Sequence, residues 1–360
     1  MSTRLRLQWV RFAACAAVAA TAVTSAGAQS AVLKLPDLSQ GASVTQRIGI
    51  TGIAICFHRP LTRGRRIFGG LVPYGQVWRA GADMNTVIAF SDPVTVEGKQ
   101  LPAGRYGLFM IPEPDIWTVI FSNNSTSWGA FSYHRSEDAL RIQVKPKAIS
   151  GQRALVYEFV RPRPDSVDVA MRWDNVEVSF PVGIATDALV QSSLPLQLRG
   201  RAGLIWQPWE EAANYLLHHH LDARQAEYDA RQAIGIDDCF ETEITEARAL
   251  AALGRSVEAA AARKQALAMA HSQFEVYIFA RTLQNFGERR FPLAIFRENI
   301  ADGPETWIAH EEKMRLAVAA GDFKTAKAEG ELAVGAGPPS LKPALEGYAR
   351  QVDEDVDINQ

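Results

Sequence analysis

Five arginines that lie close together could bind an anion. They are Arg59, Arg63, Arg65, Arg66 and Arg79. Arginine keeps its charge at every physiological pH, and its planar fork of donors matches a carboxylate or a phosphate. The cluster therefore predicts a binding site for an acidic small molecule.

Other side chains of the same stretch could complete this site. Tyr74 and Trp78 could form an aromatic wall of the kind that sugar and amide ligands need. His58 is the nearest titratable base. Further donors and acceptors come from Asp83, Asn85 and Thr86. An anionic or carbohydrate small molecule is the ligand class that fits these groups.

A structural role for the arginines is the alternative to a ligand site. Arginines in long β connections often pair with carboxylates and carbonyls and so fix a loop. We expect this role for Arg66, which precedes the apolar pair Ile67-Phe68. We expect Arg79 to be exposed, because it follows Trp78 at the Ala80-Gly81 turn.

Two functional classes remain open. A non-catalytic binding or scaffolding protein is favoured, because no HExxH, CxxC, Walker loop, GxGxxG or GxSxG motif is present. The alternative is a hydrolase or lyase in which His58 or His134 is the base and the arginines stabilise an anion. The absence of these motifs also leads us to expect no cofactor. We expect no metal, because the adjacent imidazoles of the His218–His220 run point about 100° apart on a helix and cannot converge on one ion.

Residues 45–182 have the pattern of strands. Short apolar stretches recur about every ten residues between Gly, Pro and Asp-Asn turns, which predicts an antiparallel β-sandwich or barrel-like domain. Asp174-Asn175 is predicted to be the hairpin turn that joins the last two strands.

Residues 206–352 have the period of helices and follow a predicted linker at 183–205. Gly254, Gly287 and Gly321 each end an apolar helical stretch, and Asp222 holds the corresponding place one repeat earlier. The spacing of 33 and 34 residues between these glycines is typical of tetratricopeptide-like helical hairpins. Such repeats present a concave surface that could bind a protein partner.

The first 28 residues have the pattern of a signal peptide. A basic start, an apolar stretch from Phe12 to Val23 and the Ala26-Gly27-Ala28 site predict cleavage after Ala28. We therefore expect a periplasmic or secreted protein without a membrane span in the mature chain. Cys56 and Cys239 remain after cleavage, and two buried free thiols are favoured over a disulfide.

The charge differs between the two halves. Residues 29–199 carry a net charge of +4 and residues 200–360 a net charge of −9. Neither half has the dense positive charge of a nucleic-acid-binding protein, so we expect no nucleic acid partner.

Several uncommon sequence blocks occur in a fixed order. They are Phe57-His58-Arg59-Pro60, then GRRIFGGLVPYGQVWRAGA, then GKQLPAGRYGLFMIP, then Trp117-Thr118-Val119-Ile120-Phe121. In these blocks the chain resembles the bacterial domain-of-unknown-function family 2911 over residues 45 to 182. The resemblance implies an export signal, this β-domain and a helical repeat segment, and it implies no activity, substrate or catalytic residue. The family more often has asparagine at the position of Asp83, which weakens any role assigned to an amide there.

The export prediction is tested directly by the N-terminus of the mature protein. Cleavage after Ala28 leaves Gln29 as the first residue, and N-terminal sequencing of protein from its native compartment should find it there. An intact Met1 on cytosolic protein would contradict the prediction.

Overall fold

The computed structural model describes residues 36–301 and 303–359. The predicted signal peptide, residues 1–28, lies outside the described residues. A β-domain spans residues 40–183 and ten helices follow over 186–353, which confirms the predicted fold class. No helix in the described ranges is both long enough and apolar enough to cross a membrane.

In the part of the chain that the structure describes, ten strands form two antiparallel sheets. The six-stranded sheet has the order β1-β2-β3-β6-β7-β8, and the four-stranded sheet has the order β5-β4-β10-β9. The strands are β1 Gln40–Ile48, β2 Thr51–Arg59, β3 Thr86–Phe90, β4 Val94–Val96, β5 Lys99–Leu101, β6 Gly104–Ile111, β7 Trp117–Ser122, β8 Asp138–Val144, β9 Lys147–Arg163 and β10 Ser166–Gly183.

The inner faces of the two sheets share one hydrophobic core. Phe121 of β7 meets Phe180 of β10 edge to face, with ring centroids 5.6 Å apart. Phe57 of β2 meets Tyr157 of β9 in the same way at 5.0 Å. Each pair joins one sheet to the other, which is the packing of a β-sandwich.

The prediction of a hairpin turn at Asp174-Asn175 is wrong. The turn between β9 and β10 is Pro164-Asp165, and β10 continues through Asp174. Asp174 has a φ of 55°, and the pairing register shifts on both sides of it. A β-bulge and a tight turn both need a residue that tolerates the left-handed region, so the same residue type marks either one.

The helices form consecutive antiparallel pairs, α2 with α3, α4 with α5, α6 with α7 and α8 with α9, closed by α10. Gly254, Gly287 and Gly321 lie in the turns within three of these pairs, with φ values between 76° and 87°. The predicted helical hairpins and their glycine turns are therefore confirmed. The helices are α1 Thr186–Gln197, α2 Trp206–His218, α3 Ala223–Ile236, α4 Phe240–Ala252, α5 Ser256–Met269, α6 Gln273–Asn285, α7 Arg290–Ala301, α8 Trp307–Ala319, α9 Phe323–Ala336 and α10 Lys342–Asp353.

Asp222 does not hold the turn position of the first hairpin. That position belongs to His220, with a φ of 52°. Asp222 is the N-cap of α3, and its carboxylate accepts the backbone N–H groups of Arg224 and Gln225. Asp322 caps α9 in the same way.

The segment predicted as a linker contains helix α1. Its Leu189 packs against the core of the β-sandwich, and its Leu194 packs against the apolar cluster of the first helical hairpin. Asp187 of α1 accepts a hydrogen bond from the Tyr215 hydroxyl at 2.8 Å. The segment therefore contacts both halves of the protein.

Cys56 and Cys239 form no disulfide within the described residues, but the expectation that both are buried is wrong. Cys56 is exposed and Cys239 is partly exposed. Cys56 lies between the buried residues Ile55 and Phe57, and successive residues of a strand point to opposite faces. Its thiol therefore lies on the solvent face of the six-stranded sheet.

Three buried carboxylates of the helical region make its stability pH-dependent. Burial raises the pKa of Asp229 to about 6, of Glu243 to about 7 and of Glu312 to about 8. Glu312 accepts a hydrogen bond from Asn299 through Oε1, and its Oε2 has no partner among the described residues. A buried carboxyl group with a raised pKa stays protonated in the folded state. Its contribution to the free energy of unfolding is lost as the pH rises through that pKa.

The pKa of Glu312 predicts the sign of this pH dependence. Between the ordinary pKa of glutamate and about pH 8 the folded state binds more protons than the unfolded state, so the free energy of unfolding falls as the pH rises. Glu312→Gln should reduce this fall when urea unfolding is measured from pH 5 to 8.5. Glu331→Gln, at an exposed position of α9, is the matched control and should leave the fall unchanged. Equal slopes in all three proteins would contradict the assignment.

Candidate functional site

A group of aromatic rings fixes the long connection between β2 and β3, which carries the arginines. Trp78 of this connection stacks on Trp173 of β10, with centroids 5.8 Å apart. Phe68 meets Trp117 of β7 edge to face at 4.8 Å and also contacts both other tryptophans. Backbone hydrogen bonds of 2.8 Å in both directions join Trp78 to Met110 of β6. The connection is thus fixed to both sheets.

Hydrogen bonds at the end of this connection set its path into β3. The carbonyl of Ala80 accepts from the Thr86 hydroxyl and from the Tyr157 hydroxyl, both at 2.9 Å. The indole Nε1 of Trp78 donates to the carbonyl of Gly81 at 3.0 Å. A Cβ on Gly81 would lie 2.7 Å from Thr86 Oγ1, so the close approach requires glycine. Thr86, predicted to bind ligand, is instead buried in this network.

A cleft of about 660 Å³ opens beside these residues. Four of the five arginines line it, and only Arg66 does not. The charged and aromatic residues that line it are Arg59, Arg63, Arg65, Trp78, Arg79, Asp83 and Trp173. The structure therefore brings most of the predicted cluster together in one cavity.

Two of the four arginines of the cleft, Arg59 and Arg65, bond to backbone carbonyls and not to carboxylates. Arg59 Nε donates to the carbonyl of Leu155 at 3.1 Å. Arg65 donates to the carbonyls of Leu61 and Thr62 at 2.7 and 3.1 Å. Within the described residues these arginines form no salt bridge. Asp83 is the carboxylate among the lining residues, so positive charge is in excess.

Arg79 is partly buried. Its Nε is buried and has no acceptor in the described part of the chain, and its guanidinium lies 6.0 Å from the centre of the Trp128 ring. Burial lowers the pKa of Arg79, and the nearby Asp83 carboxylate partly offsets this effect. Arginine stays charged even so. A charged side chain thus lies at the cleft with a donor that has no acceptor among the described residues.

Trp173 has a second buried hydrogen-bond donor without a partner among the described residues. Its side chain is 1% exposed, and its indole Nε1 is buried with no acceptor among the described residues. Buried donors in folded proteins are nearly always paired, and leaving one unpaired costs about 1–3 kcal/mol. Arg79 and Trp173 both line the cleft, and each keeps one buried donor without a partner among the described residues.

Several predicted site residues lie outside the cleft. Arg66 and Tyr74 are exposed beside Gly69, and neither lines the cavity. Asn85 is buried, and its Nδ2 donates to the carbonyl of Asn124. The expected roles of two arginines are reversed, because Arg66 is exposed and Arg79 is partly buried. Arg79 is partly buried and directly follows Trp78, which packs into the core.

Neither histidine of the alternative catalytic hypothesis lines the cleft. His58 precedes Arg59 on β2 and therefore points to the opposite face, where its Nε2 lies 3.3 Å from Asp37 Oδ2. His134 is exposed just before a short 3₁₀ turn. No imidazole is therefore found among the residues described as lining this cavity.

Sequence analysis missed the contribution of Trp173. It lies nearly a hundred residues after Trp78 in the chain, on a different sheet. Its position at the end of a stretch with the pattern of a strand gave no indication of a ligand site. Pairing of β9 with β10 and packing of the two sheets bring it to the cleft, and no local pattern encodes that contact.

The comparisons with known proteins match the β-domain to one family. Residues 39–182 match the family model described as "Protein of unknown function (DUF2911)". This range contains the whole sandwich except the last residue of β10, and it contains nearly all of the cleft. The match confirms the resemblance stated above over this part of the chain. No curated protein and no solved structure matched the chain in the other two comparisons.

The open donor of Arg79 leads to a prediction about stability. Arg79→Met keeps an apolar stem and removes an unpaired buried donor, so the free energy of unfolding should stay within about 1 kcal/mol of the parent value or rise. Thr86→Val removes a buried hydroxyl with a partner and should lower it by about 1–3 kcal/mol. Urea unfolding of the three proteins tests both values. A loss above 3 kcal/mol for Arg79→Met would show that Arg79 is structural.

Proposed function

We propose that the protein is an exported, non-catalytic binding protein. Its β-domain holds a small anion in the arginine cleft, and its helical repeats present a surface for a protein partner. The predicted signal peptide supports a periplasmic or secreted location. The family match adds no activity to this proposal, since the family's function is unknown.

The unpaired donors of the cleft carry the proposal. Arg79 Nε and Trp173 Nε1 are buried without acceptors, and the neighbouring arginines have no carboxylate partner in the described residues. An anion with two or more oxygens would satisfy these donors and offset the charge. Charge-assisted hydrogen bonds of this kind are about twice as strong as neutral ones.

The geometry favours an anion over a carbohydrate. Sugar rings bind to an open aromatic face, but Trp78 is 8% exposed and its ring stacks on Trp173. Tyr74, the other predicted aromatic, does not line the cleft. Four guanidinium groups around one carboxylate select for negative charge instead.

A binding role fits the cleft better than catalysis. The hydrolase or lyase hypothesis requires a base close to the anion, and the positions of His58 and His134 do not provide one. Asp83 lines the cleft, but its Oδ2 already accepts a hydrogen bond from the backbone N–H of Ser39 at 3.1 Å. The residues that meet in the cleft are therefore donors that bind and orient.

Calorimetric titration with three probes tests the ligand class. Inorganic phosphate and succinate should bind at constant ionic strength, and glucose should not. Arg79→Met should weaken binding of the anions at least tenfold, which corresponds to about 1.4 kcal/mol. Arg66→Met is the matched control, because Arg66 is exposed on the same connection and outside the cleft.

Two results would contradict the proposal. An equal loss of affinity in Arg66→Met and Arg79→Met would show that general surface charge attracts the anions. Binding of glucose without binding of either anion would assign the cleft to carbohydrate.

A further inference from the structure

A second cavity, of about 740 Å³, lies in the helical region. It is lined by α2, α4 and α6, the first helices of three consecutive hairpins, and by Phe286 at the end of α6. Stacked helical hairpins form extended surfaces that repeat proteins use for binding. We call this cavity the helical groove.

The floor of the helical groove is apolar and open. Phe274, Ile278 and Phe286 are 46%, 46% and 55% exposed. They follow one another at intervals of four and eight residues, so they lie on one face of α6 and its end. Exposed large apolar side chains that are grouped in this way mark an interaction surface.

Two buried polar groups lie at the base of the groove. The Arg248 side chain is 4% exposed and bonds to Asn214 and Glu288, but its Nε has no partner among the described residues. His218 Nδ1 is also buried without a partner, and burial lowers the pKa of His218.

Carboxylates surround the apolar floor. Glu210, Glu211, Glu241 and Glu275 line the groove, against one arginine. Glu211 and Glu241 form no salt bridge with any described residue, and Glu275 accepts a hydrogen bond from the backbone N–H of His271 at 2.6 Å. Burial raises the pKa of Glu210, with Arg248 partly offsetting the effect. The rim is therefore negative and has free acceptors.

We propose that the helical groove binds the apolar face of a basic amphipathic helix presented by a partner protein. The inference rests on the partner surface of the proposed function and adds the face and the chemistry of the partner. Apolar side chains would contact Phe274, Ile278 and Phe286, and lysines or arginines would pair with Glu211 and Glu241. A groove of this volume holds the side chains of about two helical turns, each of which rises 5.4 Å.

Fluorescence anisotropy with a labelled peptide tests this inference on the full mature chain. The probe is a 14-residue leucine–lysine peptide whose leucines follow the i, i+3, i+4, i+7 pattern. It should bind, and its affinity should fall as salt increases. The double variant Glu211→Lys/Glu241→Lys and the single variant Ile278→Asp should each weaken binding at least tenfold.

Matched controls separate the groove from the general surface. Val257→Asp changes an 85% exposed apolar residue of α5, and Glu331→Lys/Glu346→Lys reverses two exposed carboxylates on α9 and α10. These variants should bind like the parent. All variants should keep the helical circular dichroism and melting temperature of the parent, since the changed side chains are wholly or partly exposed. If a groove variant unfolds, two measurements on the parent protein decide the inference. They are the salt dependence of peptide binding and the binding of a control peptide with glutamate in place of lysine.

Four outcomes would overturn the inference. They are absence of peptide binding, equal binding of a peptide with glutamate in place of lysine, equal weakening by the control variants, and binding of a fluorescent fatty acid without binding of the peptide. The last result would assign the groove to a small apolar ligand. Arg79→Met should leave peptide binding unchanged, and the groove variants should leave phosphate binding unchanged, so failure of one site does not imply failure of the other.

Discussion

The stack of Trp78 on Trp173 is the contact on which the β-domain site depends. It joins the connection after β2 to the opposite sheet, and Phe68 and Trp117 extend it to both sheets. Aromatic pairs contribute about 0.5–1.5 kcal/mol each beyond the area they bury. The contact fixes a segment without helix or regular strand, so the arginines that follow and precede Trp78 have defined positions.

The same packing leaves two hydrogen-bond donors at the cleft without acceptors among the described residues. Trp173 packs against Trp78 and Phe68, and its indole N–H has no acceptor among the described residues. Arg79 directly follows Trp78 and is drawn into the cleft with its Nε unpaired. Natural proteins keep such costs mainly at functional sites. The conflict between packing and hydrogen bonding is therefore the strongest indication of a ligand in this domain.

Sequence patterns predicted what depends on local chemistry. The change from strand period to helix period predicted where the β-domain ends and the helical half begins. Gly254, Gly287 and Gly321 marked the turns of the helical hairpins, because few other residues adopt a positive φ without cost. Asp174 showed the limit of such signals, since the left-handed conformation serves a bulge as well as a turn. The exposure of Arg66 and the partial burial of Arg79 depended on tertiary packing, and the part played by Trp173 depended on sheet pairing. Neither is a property of neighbouring residues.

The indole N–H of Trp173 gives the most direct measurement of the central claim. In ¹H–¹⁵N spectra, with the signal assigned by Trp173→Phe, addition of inorganic phosphate should shift this resonance downfield and slow its exchange with solvent, because the donor gains an acceptor. Trp209 Nε1 already donates to the carbonyl of Gly203 at 3.0 Å and should not move. Phosphate binding that leaves the Trp173 signal unchanged would place the anion elsewhere and contradict this account.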